Sequence, residues 1–129
     1  MVLTVASAPA GCDNSPTAPP LFTTETFSGS VAQLSSSAHN FITGQSSPVV
    51  IRVGSFTPSP ITMGLALGTP TVTTTGNVCS VTIGQAAVVG GDTFQVQLDP
   101  GTYCVMIFDI GNIADAAATV AYSVTVQHR

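Results

Sequence analysis

The chain has 129 residues, 44% of them hydrophobic and only 6% charged, with a formal net charge of -4. That length and apolar content suit one domain with one buried core. Arg52 and Arg129 are the only basic residues besides two histidines, which excludes a nucleic-acid surface built on lysine and arginine and a polybasic membrane patch. Polar surface falls to 18 threonines and 13 serines; threonine favours strands, so the composition points to an all-β chain.

Residues 1–11 differ from the rest. A short apolar run, Met1-Val2-Leu3-Thr4-Val5-Ala6, leads through small residues to Ala10-Gly11-Cys12, the order of a signal-peptide remnant ending in a lipoprotein box whose cysteine is acylated. Pro9 stands where an aliphatic residue is usual, and no basic segment precedes the apolar run. Lipidation of Cys12 is the expectation, with an ordinary secretory signal or a chance cysteine as the alternatives. Residues 12–22 hold Pro16, Pro19 and Pro20 among small polar neighbours, an extended tether that cannot pair as a central strand.

Residues 23–129 read as short strands punctuated by Gly, Pro, Ser and Asn, about eight in all, the pattern of a sandwich or barrel. The expected strands are Thr23 to Leu34, Ala38 to Thr43, Val49 to Phe56 and Ile61 to Leu67. Within the fourth, Ile61, Met63, Leu65 and Leu67 share a face and Gly64 marks a bend or close backbone contact. A threonine-rich connector, Thr69 to Asn77, then leads to Val78 to Ile83 and Thr93 to Leu98. Thr102 to Asp109 and Thr119 to Gln127 finish the domain, with an alanine-rich loop between them too short for a stable helix. Alternation turns Tyr103, Val105 and Ile107 to one face, and Tyr122, Val124 and Val126 likewise.

Cys79 and Cys104 each fall in an expected strand. In an exported chain such a pair reads as a disulfide, worth about 3.5 kcal/mol on the chain-entropy model, or else as two buried thiols. Metal binding by the pair is disfavoured, because there is no CxxC and His39 and His128 lack ligand spacing.

The run Asp99-Pro100-Gly101-Thr102-Tyr103 opening into an alternating strand, the final Val120 to Val126 strand, Thr26-Phe27-Ser28-Gly29-Ser30 and Phe94 to Leu98 together resemble the bacterial pre-peptidase C-terminal domain. The resemblance covers Thr23 to Gln127 and implies a jelly-roll-like antiparallel β-sandwich. Domains of that family accompany secreted enzymes or stand alone on envelope proteins, and no functional residue carries over from it. Some relatives bind calcium at loop carboxylates. Here Asp92, Asp99, Asp109 and Asp115 fall at turns or strand ends, no D-x-D-x-D loop occurs, and turn chemistry is the simpler role for them. No cofactor is expected.

Catalysis finds little footing. No G-x-S-x-G elbow occurs, Glu25 is the only glutamate, and both histidines read as surface residues, His128 at a fraying end. With no Trp and two inward Tyr, stacking on sugars is also poorly served, so a glycan-binding module ranks low.

The expected function is therefore a non-catalytic exported module of the envelope, in the periplasm, at the cell surface or secreted, held to membrane only by a lipid anchor. It binds another envelope protein or its own copies, or else supports a secreted peptidase or hydrolase in trans. The candidate docking residues are Met106 and Phe108, which alternate with the inward set on a strand apolar on both faces. Two accounts stand open for them: burial beneath the disulfide and a crossing loop from Ile110 to Ala118, or an exposed apolar patch.

Overall fold

The computed structural model describes residues 21–129 except Thr75. The expected signal remnant, Cys12 as the expected lipidation site and most of the expected tether lie outside the described residues. Eight strands form: β1 (Thr23–Ala32), β2 (Ser36–Thr43), β3 (Ser47–Thr57), β4 (Met63–Thr73), β5 (Gly76–Val88), β6 (Thr93–Leu98), β7 (Gly101–Phe108) and β8 (Thr119–His128). They pair antiparallel in two four-stranded sheets, β1-β8-β3-β6 and β2-β7-β4-β5. Every connection except the β4–β5 hairpin passes from one sheet to the other, which is the jelly-roll arrangement.

The period-two pattern decides what lies between the sheets. Val49, Ile51 and Val53 of β3 and Val120, Tyr122, Val124 and Val126 of β8 face Met63, Leu65, Val105 and Ile107 of the opposite sheet, all buried. Burying such a face is the main stabilising term of the fold. Tyr103 packs against this core half-buried and donates its hydroxyl to the Asp99 carbonyl at 2.7 Å, tying the β6–β7 turn to the strand that follows.

Three local expectations change. The threonine-rich Thr69 to Asn77 segment is not a connector: β4 and β5 run through it and turn at Thr74. Its hydroxyls bond across the hairpin, Thr71 Oγ1 to Ser80 Oγ at 2.8 Å and Thr73 Oγ1 to the Gly76 carbonyl at 2.7 Å, so threonines that suit a strand also find hydrogen-bond partners there. The bend falls at Gly68, where the register breaks between Leu67 and Thr69, and of the two roles expected for Gly64 it takes the close contact, with the Phe108 ring against it. A Cβ at Gly68 would stand 1.7 Å from the Ser80 carbonyl oxygen, so β5 passes over this position only because it is glycine. His128 is no frayed end residue; it is buried and closes β8.

Candidate functional site

The doubly apolar β7 is explained by its neighbour. Along the β4–β7 ladder Phe108 stands opposite Gly64, Met106 opposite Ala66 and Cys104 opposite Gly68, so the large outward side chains of β7 meet the smallest ones of β4. A Cβ built at Gly64 would lie 2.3 Å from the Phe108 ring, which therefore rests on that glycine. Ala66 is fully buried, while Met106 and Phe108 are each half-buried. The loop from Ile110 to Ala118 instead reaches the end of the sandwich: Ile113 enters the core, and Asn112 donates to the Thr62 carbonyl at 2.8 Å.

Cys79 and Cys104 form a disulfide with Cα atoms 5.8 Å apart, joining β5 to β7 across β4. Cys104 is 0% exposed. The bridge and the Gly68 approach occupy one place in the fold: β5 bends over the glycine and the sulfurs hold it there.

At the β1/β2 edge of the sandwich the structure assembles residues that the sequence reading left apart. The Tyr122 hydroxyl on β8 meets Ser37 Oγ at 2.6 Å and His39 Nε2 at 2.5 Å, both on β2 of the other sheet. His39 stacks on Phe27 with ring centroids 4.8 Å apart. Burial holds the His39 imidazole below the usual histidine range and raises the Tyr122 hydroxyl, the latter opposed by the Ser37 hydrogen bond. Further along, His128 Nε2 meets Glu25 Oε2 at 2.5 Å, with the Phe41 ring beside the imidazole. Reading His39 as a surface residue overlooked its period-two partners: it shares the inward face of β2 with Phe41.

This edge opens on a depression of about 460 Å³ lined by Phe27, Ala38, His39, Asn40, Val78 and Cys79. Its hydroxyl and imidazole are arranged as a pin between sheets. His39 bonds to Tyr122 and not to Ser37, so it is not set to withdraw a proton from that serine.

The aspartates serve turns. Asp109 is buried, and its carboxylate accepts from the amides of Leu34 at 2.9 Å, Gly111 at 2.9 Å, Asn112 at 2.8 Å and Ile113 at 3.1 Å. The Leu34 amide leads the interactions that hold this carboxyl below the usual range, against a desolvation that raises it. Asp92 accepts from the Val89 amide, Asp115 from the Ala117 amide and Asp99 from the Ser46 hydroxyl. Among the described residues, no three His, Cys, Asp or Glu side chains converge as a metal site would require.

The opposite edge, between β5 and β6, is open. A cleft of about 260 Å³ there reaches Ile51, Leu65 and Leu67 of the core between Ile83 on one rim and Phe94 and Val96 on the other. No protein-family model matches the chain, and no curated protein matches it.

Proposed function

We propose that this chain is a non-catalytic, exported β-sandwich module of a bacterial cell envelope that works by binding protein or by structural assembly. The observation that carries the reading is an almost uncharged surface with exposed large apolar side chains gathered on one hairpin: Val72, Val78, Val81 and Ile83. Such patches on soluble domains mark interaction sites, and the half-exposed Met106 and Phe108 extend the candidate docking surface onto β7. The disulfide and the cysteine box at residues 10–12 support export and a lipid tether at Cys12. The resemblance to pre-peptidase C-terminal domains supports a stand-alone accessory role.

The test is capture from an envelope extract with the folded, disulfide-bonded domain as bait. A protein retrieved in stoichiometric amounts, including the chain's own copies, is the expected result, with retrieval reduced by Met106→Ser/Phe108→Thr while the variant stays folded. A variant that unfolds instead assigns those two side chains to the fold and moves docking elsewhere. Recovery of no stoichiometric protein overturns the proposal.

A further inference from the structure

A strand at a sheet edge presents unpaired amides and carbonyls, and natural proteins guard such edges with charge, proline, a β-bulge, short length or a covering segment. Three of the four edges here are guarded. β1 carries Glu25 and lies beside β2, with Phe27 stacked on His39 between them, so these two edges shelter each other. β6 has only 6 residues and is flanked by Asp92 and Asp99.

β5 is different. It runs for 13 residues and pairs only with β4. It contains no Lys, Arg, Asp, Glu or Pro. Val78, Val81 and Ile83 along it are 46%, 44% and 38% exposed, and Ile83 sits on the rim of the apolar cleft. Its regular run, Gly84–Val88 opposite Met63–Leu67, ends the sheet with nothing beyond it among the described residues.

We propose that β5 pairs antiparallel with β5 of a second copy across a two-fold axis, joining two four-stranded sheets into one and covering the cleft mouth. This rests on the protein-binding reading above and gives it a partner. The occupant follows from two properties of the edge. An antiparallel pair of identical strands is self-complementary, each supplying the donors and acceptors the other lacks, and a two-fold contact closes on itself. Charge decides between a copy and an unlike chain: an uncharged edge holds nothing to select an oppositely charged partner and nothing to repel its own kind.

The experiment uses the full, disulfide-bonded chain in sedimentation equilibrium over a wide concentration range. A concentration-dependent dimer is expected. Gln85 and Ala87 are exposed on the regular run, so Gln85→Lys/Ala87→Lys should keep the thermal midpoint. Like charges facing across paired strands should raise its dissociation constant by about tenfold or more. Gln85→Glu/Ala87→Glu should do the same, and an equimolar mixture of the two variants should restore a dimer. Amide exchange of the wild type needs no substitution: the 84–88 amides should slow as concentration rises. A wild type monomeric at every concentration, oligomers larger than dimers, a Lys variant that dimerises as before, or a mixture that stays monomeric would each overturn the pairing. A monomer that still captures a stoichiometric partner sinks the pairing and spares the protein-binding reading; a monomer that captures nothing sinks both.

Discussion

Tyr122 joins the two sheets at one edge through a single oxygen, since Ser37 and His39 belong to β2 and Tyr122 to β8. Removing that oxygen in Tyr122→Phe leaves both partners short of a hydrogen bond in a half-buried place, a loss of about 1 to 3 kcal/mol. Urea unfolding measures it, and an unchanged midpoint would show that the pin is idle. Acid acts on the same edge. Burial holds the folded His39 below the usual range, while the unfolded chain takes up that proton at about pH 6.5. The unfolded state therefore binds more protons as pH falls through that value, and stability falls with it. Asp109 adds a second loss, because its amide-bound carboxylate resists protonation when folded but not when unfolded, where the proton binds at about pH 3.8. Thermal midpoints against pH should decline in two stages, the upper one vanishing in His39→Gln. A profile without an upper stage counts against the His39 assignment.

Between elements, β4 decides what β7 and β5 can do. Gly64, Ala66 and Gly68 form a small-residue track under Phe108, Met106 and Cys104. The two glycines differ in what their missing side chains admit. At Gly64 the obstacle is the end of an aromatic side chain, which can shift, and Gly64→Ala should cost about 1 to 3 kcal/mol as other overpacked sites do. At Gly68 the obstacle is the Ser80 backbone, next to Cys79. Gly68→Ala should push β5 away and leave thiols that alkylate without reductant, whereas Gly64→Ala keeps its disulfide. Equal thiol counts in the two variants would break this distinction. In the wild type, reduction of the bridge, whose sequence separation is 25, should lower stability by about 3.5 kcal/mol.

As a whole molecule, the chain presents a sandwich with one sheltered edge pair and one open one, carrying 2 basic and 6 acidic side chains in all. With so little charge, long-range repulsion between copies is weak. Attachment belongs to this scale too. Expressed with a full upstream export signal, the wild type should fractionate with membranes and Cys12→Ala should be released. A soluble wild type removes the lipid tether and leaves the fold untouched.

Alternation along single strands was enough to read the all-β class, the inward sets of β7 and β8, and the extent of β6, because side-chain period is a property of one strand and burial follows it. The two strand cysteines were legible as a pair for a chemical reason, the scarcity of free thiols in exported chains. Partnerships across strands were not legible. Glu25 and His128 sit at opposite ends of the domain, and only the β1–β8 ladder brings them together. Likewise, that Phe108 falls opposite Gly64, and that β5 ends its sheet with a regular uncharged run at Gly84–Val88, depend on register and strand order. Those are set when distant segments pair, and no local pattern encodes which segment arrives beside which.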